Sequence, residues 1–578
     1  MKTRVSIFVL FLLCAFLLAA CGNGDTNPPP AESTAPETTA PLADFEIVKD
    51  GVVNYTIVRG DNADSSAVDA ASQLRKMIKQ YTGASAEMST DWIGKGQELD
   101  HTTREILIGS TAYHESTDAL KGIPYGDFVI TAQGNKLVIN AWSAAGLSRA
   151  VTKLTEKMLL EATEGNFVLP GDFHMTGTVM KAVNAIPVYE DRGPNSITTL
   201  LEGDLMLIFE ETTADSYTKY CKSLLDMGYT LHADNAVQNN IFGTYVNDET
   251  VINIGYYNFG KEIRLILEKR SVLPKTAEEN TYEVKVTPKF AFFGLGSNSE
   301  YAGGQSMIWQ LSDGSFIIVD GGYQEADHAR KLYMFMRENA PDPDNIVIAA
   351  WIITHPHGDH FGGLVQFSGV YAKKVTVEMF IGNFPTAAVR KEGGITDGWS
   401  GEKLMDHIKT NFPNTPFLTA RVGQKIPLRD AEIEIFYTFD SFAPQLMTWY
   451  NTSSLVFAVN IAGQRFLVLG DASHSGCSLA YYTFGDYLKS DYVQIAHHGA
   501  GVGAYTTFGV TSVYSAAAAP VVLWPAADYT FEEYRANEHN AHALNLPSTR
   551  EIVVAGNRTF CVELPYTVGT SGQETILK

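Results

Sequence analysis

The sequence contains little cysteine and comparatively little positive charge. Only five cysteines occur in 578 residues, which is too few for a fold held together by disulfide bonds. Acidic residues outnumber basic ones, with 65 Asp and Glu against 43 Lys and Arg, and the formal net charge is −22. A surface this negative repels phosphate backbones at long range, so a general nucleic-acid-binding protein is disfavoured.

The chain is instead rich enough in apolar residues to build several cores. Hydrophobic residues make up 45% and aromatic residues 11% of the sequence, which excludes a disordered or collagen-like chain. At roughly 150 residues per domain, this length predicts about three to four units. We therefore predict an α/β protein with three globular segments, at 44–175, 179–275 and 280–578.

The N-terminus is typical of a processing segment rather than of a folded domain. A basic start precedes an apolar run from Val5 to Ala20, which is shorter than the ~20 residues of a membrane-spanning helix. The run ends in LAACG, which resembles the lipobox of bacterial lipoproteins. This resemblance implies that residues 1–21 form a lipoprotein signal peptide and that Cys21 is lipidated. An ordinary signal peptide with a chance cysteine is the alternative.

Residues 22–43 are rich in proline and threonine. Such a stretch cannot bury enough apolar surface to fold, and proline keeps it extended, so we predict a disordered tether. Together with Cys21 it predicts an extracytoplasmic protein that is lipid-anchored to the bacterial cell membrane. The other cysteines of the mature chain show no metal or redox spacing and are expected to be buried thiols.

Strand and helix patterns alternate through residues 44–175. We predict a helix capped by Ser65 or Ser66 and ended by Gly83, and a second helix from Ala145 to Leu160. Short apolar strands between them complete a small α/β domain. The stretches YTIVRGDNADSSAVDAASQLRKMIKQYTG, EILIGST and DFVITAQGNKLVINAWSAAGLSRAVTKLTEKML resemble the N-terminal domain of alpha-glucuronidases and some other glycoside hydrolases. In those enzymes this domain accompanies catalysis and does not perform it.

Residues 179–275 carry no recognisable chemistry. A strand from Leu205 to Phe209 precedes a helix that starts near Thr213, and three strands follow, near Ile241 to Val246, Val251 to Tyr257 and Glu262 to Leu267. We predict a small α+β module for packing or binding. Two smaller α+β domains are therefore expected to precede the segment 280–578.

The main chemical signal lies where an apolar strand ends. Ile346 to Ile353 is a continuous apolar run, as expected for a strand buried on both faces. It leads into THPHGDH, whose ligand-type side chains are His355, His357, Asp359 and His360. Histidines two residues apart in extended chain project to the same side, and Gly358 permits a bend that returns the next two side chains toward them. Three imidazoles and one carboxylate suit a divalent transition metal, most often zinc, better than simple packing.

This string resembles the H-x-H-x-D-H signature of the metallo-beta-lactamase superfamily. Other landmarks of that family follow strands in the expected order: Asp320-Gly321, Gly470-Asp471 and His497-His498-Gly499. The resemblance covers the segment 280–578. It implies an αβ/βα sandwich, in which two sheets lie back to back between outer helices and the metals bind at one edge.

The resemblance further implies two divalent metal ions, Zn²⁺ foremost, with Mn²⁺ or Fe²⁺ as alternatives. The implied ligands are His355 and His357 for the first ion, Asp359, His360 and His498 for the second, and Asp471 as the bridge between them. We prefer His498 to His497 because it directly precedes Gly499, where the chain can turn. His497 would then orient the substrate, hydrogen-bond a ligand or act as a general acid.

The sequence departs from the family pattern at one point. The usual histidine between the first motif and the bridging aspartate has no clear counterpart, since His407 lies in a helix-like stretch and Asn451 occupies the expected place. This puts the filling of the first metal site in question and makes beta-lactam hydrolysis less expected. The order NTSSLV, GD, HHG resembles a branch that includes the hydrolase domain of the competence DNA-translocation protein and a cell-wall phosphorylcholine esterase.

Three further residues are candidates for substrate contact at the rim of the site. Asn451 and Ser454 belong to the NTSSLV stretch, and His539 belongs to a second polar cluster, NEHNAH. A solvated helix start is an equally good interpretation of that second cluster.

These features predict a surface-anchored, metal-dependent hydrolase of a phosphodiester or related ester, including cell-wall or glycan-linked esters. A divalent metal lowers the pKa of bound water to about 7, and Asp359 or Asp471 would orient or deprotonate this nucleophile. An extracellular nuclease of the competence type is the enzyme alternative, and the net charge of −22 speaks against it. A non-catalytic glycan-binding lipoprotein is the other alternative, but structural zinc sites are usually closed by thiolates and only Cys477 lies near the motifs.

Overall fold

The computed structural model describes residues 43–270, 272–295, 304–501, 509–556 and 558–578. The predicted signal peptide, the Cys21 lipidation site and nearly all of the predicted tether lie outside the described residues. Among the residues described, no helix is both long enough and apolar enough to cross a lipid bilayer. The chain folds into several sheets with flanking helices, which confirms the predicted α/β class with smaller domains before a C-terminal one.

The first domain is built on a mixed sheet with helices on both faces. Its strands are β1 (Phe45–Lys49), β2 (Val52–Val53), β3 (Thr56–Arg59), β4 (Met88–Thr90), β5 (Glu105–Ile108), β6 (Asp127–Gln133), β7 (Lys136–Ala141), β8 (Phe167–Leu169) and β9 (His174–Thr178). Its helices are α1 (Ser65–Thr82), α2 (His114–Asp118) and α3 (Ala144–Glu161). The main sheet has the order β4-β3-β5-β7-β6-β9, and a second sheet has the order β2-β1-β8. Helices α1 and α3 share one core with the main sheet, and α2 packs on its other face.

Helix α1 begins with a different cap from the one predicted. The N-cap is Asp64, whose carboxylate accepts a hydrogen bond from the Ala67 amide at 3.0 Å. Ser66 donates its hydroxyl to the same carboxylate at 2.6 Å and so is not the cap itself. A carboxylate is favoured here because it also faces the positive end of the helix dipole. Gly83 ends the helix as predicted, with a φ of 75° that glycine adopts without steric cost.

The second domain is an antiparallel sheet with a helix on one face. Its strands are β10 (Ser196–Thr199), β11 (Leu205–Phe209), β12 (Thr230–Val237), β13 (Asn240–Val246), β14 (Thr250–Tyr257) and β15 (Glu262–Lys269), in the order β10-β11-β15-β14-β13-β12. Helix α4 (Ala214–Asp226) covers one face. On the other face, Met206 and Ile266 pack against Phe439 and Met447 of the third domain.

A buried ion cluster joins the second and third domains. The Arg421 guanidinium lies 2.7 Å from Asp204, 2.7 Å from Asp440 and 3.6 Å from Glu268. Asp204 directly precedes β11 and Glu268 lies in β15 of the second domain, whereas Arg421 and Asp440 belong to the third. Because removing one partner of a buried ion cluster leaves the others uncompensated, this contact fixes how the two domains meet.

The third domain contains two large sheets. The strands of the first are β16 (Lys289–Phe292), β17 (Ser306–Gln310), β18 (Phe316–Asp320), β19 (Ile346–Ile352), β20 (Val375–Val377), β21 (Phe380–Gly382), β22 (Phe417–Thr419) and β30 (Phe560–Glu563). The strands of the second are β23 (Lys425–Leu428), β24 (Ala431–Tyr437), β25 (Val456–Ile461), β26 (Gln464–Val468), β27 (Tyr492–Gln494), β28 (Val521–Trp524), β29 (Glu551–Val554) and β31 (Ile576–Leu577).

Helices cover the outer faces of both sheets. They are α5 (Ala326–Asn339), α6 (Gly358–Tyr371), α7 (Ala387–Glu392), α8 (Gly401–Asn411), α9 (Phe439–Phe442), α10 (His474–Phe484), α11 (Thr511–Ala517), α12 (Asp528–Tyr534) and α13 (Glu538–Asn545). The inner faces share one apolar core, to which the first sheet contributes Trp309 and the second Phe466. Helices α5, α6 and α8 pack on the outside of the first sheet, and α10, α11 and α13 on the outside of the second. The domain is thus a helix–sheet–sheet–helix sandwich.

Candidate metal centre

The first histidine motif forms the turn between β19 and α6. His355 follows the end of the strand, and His357 is the N-cap residue of the helix, with extended backbone. Asp359 and His360 therefore lie in the first helical turn. The bend predicted at Gly358 is this helix start, and it returns the second pair of side chains toward the first.

Helix α6 lies very close to the end of β18. The amide of Gly363 donates to the carbonyl of Gly322 at 2.7 Å, and a Cβ on Gly363 would lie 1.9 Å from the Gly321 carbonyl oxygen, so only glycine fits. This approach places His360 beside Asp320, the last residue of β18. Nδ1 of His360 donates to the Asp320 carboxylate at 2.7 Å, which leaves Nε2 pointing at the other ligand-type groups.

One group of ligand-type side chains consists of Asp359, His360, Asp471 and His498. Its ligand atoms all lie within 4.8 Å of one another. Nε2 of His360 is 3.1 Å from Asp471 Oδ2, and Nε2 of His498 is 3.1 Å from Asp359 Oδ2 and 3.6 Å from Asp471 Oδ1. These are the four residues expected at the second metal ion.

A second group consists of His355, His357 and Asp471. Nε2 of His355 lies 3.0 Å from Nδ1 of His357 and 3.7 Å from Asp471 Oδ2. Asp471 thus belongs to both groups, as expected of a bridging carboxylate. The exposed carboxylate of Asp397 approaches Nε2 of His357 at 3.0 Å, and the sequence analysis did not single out this residue.

The two histidines after β27 occupy a strained turn. Both His497 and His498 have left-handed backbone, with φ of 52° and 55°, a conformation that costs non-glycine residues free energy and is common at functional sites. Nδ1 of His498 donates to the Pro525 carbonyl at 2.7 Å, and Nδ1 of His497 to the Ala500 carbonyl at 2.8 Å. Each ring therefore turns Nε2 toward Asp471. Nε2 of His497 is 3.9 Å from Asp471 Oδ2 and lies outside both groups.

The backbone around Asp471 is held by buried side chains. The carboxamide oxygen of Gln494 accepts hydrogen bonds from the amides of Leu469 and Gly470, at 2.8 and 2.7 Å. The hydroxyl of Ser454 accepts from the amide of Asp471 at 3.3 Å. Asp471 itself is 1% exposed, so its carboxylate is fixed before any ligand binds.

Burial and neighbouring charges shift the pKa of several of these groups. Burial lowers the pKa of His355 well below its usual range, and the neighbouring imidazoles add to this effect. Burial also opposes protonation of His360, but the carboxylates of Asp471 and Asp320 outweigh it and raise its pKa well above the usual value. Although burial opposes ionisation, His360 and His498 hold the pKa of the Asp471 carboxyl well below its ordinary range.

The donor set fits divalent transition metals. Nε2 of His360, Nε2 of His498 and Oδ1 of Asp471 are buried and make no regular hydrogen bond, and each such atom costs about 1–3 kcal/mol unless a partner is supplied. Imidazole nitrogen and carboxylate oxygen without thiolate suit Zn²⁺, Mn²⁺ or Fe²⁺. A cation would satisfy all three atoms at once.

Comparison with known families agrees with this geometry. Residues 302–505 match the family model described as the metallo-beta-lactamase superfamily. The third domain is a metallo-beta-lactamase superfamily domain. A comparison with curated protein sequences found no matching relative.

Several solved structures align with this chain at low identity. The fold protein YhfI from Bacillus subtilis aligns at 13% identity and a TM-score of 0.30, covering 48% of this chain and 99% of that chain. The diiron beta-hydroxylase CmlA from Streptomyces venezuelae aligns at 12% identity and a TM-score of 0.27, covering 46% of this chain and 47% of that chain. A metallo-beta-lactamase with a HARLDQ motif from Cronobacter sakazakii (mutant S60) aligns at 12% identity and a TM-score of 0.24, covering 46% of this chain and 88% of that chain.

Two of the three predicted rim residues are buried, and the third lies in helix α13. Asn451 is 4% exposed and Ser454 is fully buried beneath Asp471. His539 lies in α13 with its Nε2 3.0 Å from Nε2 of His474. The cluster around His539 is a helix start, and it also touches the site, because Asn540 donates to the Gly499 carbonyl at 2.8 Å.

His407 does not replace the histidine that the family usually carries between the first motif and the bridging aspartate. That residue lies in α8, where its Nε2 is 3.2 Å from the Ser368 hydroxyl, and it belongs to neither metal group. Asp320 could have been assigned from its position at a strand end, where the Asp-Gly landmark was recognised. Asp397 sits in a loop and gives no sequence signal.

Proposed function

We propose that the protein is a metal-dependent hydrolase that cleaves phosphodiesters or related esters at the outer surface of the bacterial cell membrane. The observation that carries this proposal is that two groups of ligand-type side chains share the carboxylate of Asp471. A shared carboxylate is suited to holding two divalent ions a few ångströms apart, the arrangement that stabilises both the attacking and the leaving oxygen in a displacement at phosphorus.

When bound, the ions would lower the pKa of water and stabilise negative charge on the phosphoryl oxygens. The chain's own groups position the reactants. Asp359 has a side chain that is 21% exposed, against 1% for Asp471, so Asp359 is the carboxylate that can meet a water molecule and take its proton.

His497 is suited to orienting that water rather than to protonating the leaving group. Its Nδ1 donates to Ala500, so the neutral ring offers only an acceptor at Nε2, and burial lowers the pKa of this imidazole. Of the roles predicted for His497 from the sequence, the general-acid one is therefore disfavoured. A proton for the leaving group would come from solvent.

Three features favour an extracytoplasmic ester over a polymeric nucleic acid. The net charge of −22 opposes binding of a polyanion. The N-terminal sequence resembles that of lipoproteins, and the first domain resembles one that accompanies glycoside hydrolases.

The donor set contains no thiolate, and Cys477 is buried in the core behind the second sheet, so a closed structural zinc site of the thiolate type is disfavoured.

The decisive experiment combines metal analysis with an activity screen. The purified protein is assayed on bis(p-nitrophenyl) phosphate, phosphorylcholine esters, nitrocefin and DNA, as wild type and as the variants Asp359→Ala and His498→Ala. We expect turnover of a phosphodiester by the wild type, and loss of both metal and activity in the variants. His542→Ala is the matched control, because this histidine of the same domain belongs to neither metal group and its Nε2 lies 2.7 Å from the Ser515 hydroxyl.

Two outcomes would count against the proposal. Full metal content in Asp359→Ala would remove that residue from the ligands. Two bound metals without turnover of any ester would favour the glycan-binding alternative, and preferential cleavage of DNA would favour the nuclease.

A further inference from the structure

The first domain holds a second cluster of metal-ligand type side chains, far from the metallo-beta-lactamase domain in sequence. His101, His114 and Glu115 place ligand atoms within 4.8 Å of one another. The imidazole rings of His101 and His114 lie 4.7 Å apart, centroid to centroid. Nδ1 of His101 is 2.8 Å from Oε1 of Glu115, and Nδ1 of His114 is 3.4 Å from Oε2.

Glu115 is the unusual member of this cluster. Its side chain is only 9% exposed, and its Oε2 is buried without a hydrogen-bond partner. A buried carboxylate oxygen without a hydrogen-bond partner is unfavourable unless a cation faces it. Nδ1 of His114 lies 3.4 Å from Oε2, so a metal ion bound by both atoms would supply the missing partner.

Both segments that carry the ligands are anchored to strand β7. The ammonium group of Lys136, which is fully buried, donates to the carbonyls of Asp100 and Thr103 at 2.9 and 3.0 Å and so fixes the turn of His101. At the other end of β7, Asn140 donates to the Ser116 carbonyl at 2.9 Å and fixes α2. The ligands are therefore held in place by the fold rather than brought together by chance on flexible loops.

Asp118 lies behind His114 and also pairs with Lys121, at 2.6 Å between Oδ1 and Nζ. Its carboxylate lies 3.8 Å from Nε2 of His114, the ring nitrogen opposite the one that faces Glu115. A carboxylate behind a histidine ligand fixes the ring and increases its basicity.

We infer that His101, His114 and Glu115 form a site for a divalent transition-metal ion in the first domain. Two imidazole nitrogens and one carboxylate oxygen fit Zn²⁺, with Cu²⁺ and Ni²⁺ as chemically related occupants. Three protein ligands leave a position for water or an external donor. The imidazoles are 44% and 66% exposed, so the ion exchanges with the surrounding medium.

A site-specific footprint tests this inference without reference to the other centre. The purified protein is titrated with Zn²⁺, and carbethoxylation of each histidine by diethyl pyrocarbonate is measured by peptide mass spectrometry. We expect Zn²⁺ at micromolar concentration to slow modification of His101 and His114 at least fivefold. His174, a histidine of the same domain in β9, should not change.

Variants separate a metal site from a simple ion pair. His114→Ala, at an exposed position where folding is not at risk, should abolish Zn²⁺ protection of His101. Asp118→Asn should raise the half-protecting Zn²⁺ concentration about 10- to 100-fold. His174→Ala should leave protection unchanged. Protection of His101 that persists in His114→Ala, or that requires millimolar Zn²⁺, would overturn the site. Failure of the hydrolase proposal would leave these results unchanged, because the measurement concerns only the first domain.

Discussion

Asp320 and His360 form a fully buried pair at the edge of the metallo-beta-lactamase domain, with 2.7 Å between Oδ2 and Nδ1. The Asp320 carboxylate also accepts the amide of Thr354 at 2.8 Å, so it links the end of β18 to the start of the first motif. A carboxylate fixed in this way determines which nitrogen of His360 faces the candidate metal centre.

Substitution of Asp320 should therefore weaken metal binding without removing a ligand. In Asp320→Asn the amide can no longer act as a charged acceptor for both groups, and His360 loses its fixed orientation. We expect metal affinity to fall about 10- to 100-fold, measured by competition with a chromophoric chelator. Asp327→Asn on the exposed side of α5 is the control. Equal metal affinities for both variants would contradict the role of Asp320 in orienting His360.

The two histidines after β27 should differ in what they do. His498→Ala removes a member of a metal group and should lower metal content. His497→Ala leaves both groups intact, so metal content should stay near wild type while kcat falls about 10²-fold, the cost typical of a misplaced reactant. Metal analysis and steady-state kinetics on both variants distinguish the roles. Loss of metal from His497→Ala alone would reverse the assignment.

Metal removal should destabilise the third domain. The buried carboxylates and imidazoles of the two groups then face one another without a cation. For a metal that binds only the folded state, a free concentration of 100 times Kd adds about 2.7 kcal/mol to the free energy of unfolding. Urea unfolding of the protein with and without Zn²⁺ measures this difference. The same unfolding curve in both conditions would mean that these groups do not bind Zn²⁺.

Ligand-type residues that lie close together in the chain could be predicted from the sequence. The residues of THPHGDH follow one apolar strand, so their proximity could be predicted from the strand and the bend after it. Asp397 could not be predicted, because a long loop brings it to His357. Strand β12 was also missed: most of its side chains are exposed, so it lacks the apolar alternation by which a strand is recognised. The cluster of His101 and Glu115 escaped for a similar reason, since a tertiary contact joins a turn to a short helix.

The lipoprotein prediction can be tested at Cys21. If this cysteine is the lipid attachment site, the wild-type protein should incorporate labelled palmitate and sediment with membranes. Cys21→Ala should lose the label, because no other thiol lies at the cleavage site. Cys477→Ala, which removes a buried thiol, serves as the control for cysteine loss. Labelling of Cys21→Ala equal to wild type would exclude the proposed anchor.

The contact between the second and third domains should weaken as the pH rises. Burial raises the pKa of the Asp204 carboxyl to about 7; Arg421 opposes this shift, and the nearby carboxylates of Glu268 and Asp440 reinforce it. In an unfolded chain this group has a pKa of about 3.9. The folded state therefore binds the proton more tightly, so the stability from this group is fully present below about pH 4 and is lost as the pH rises to about 7. The limiting slope is about 1.4 kcal/mol per pH unit. Asp204→Asn should remove this part of the pH dependence, as measured by urea unfolding at pH 5 and pH 7.5. If the free energy of unfolding changes equally in the wild type and in Asp204→Asn between pH 5 and pH 7.5, Asp204 stays ionised beside Arg421.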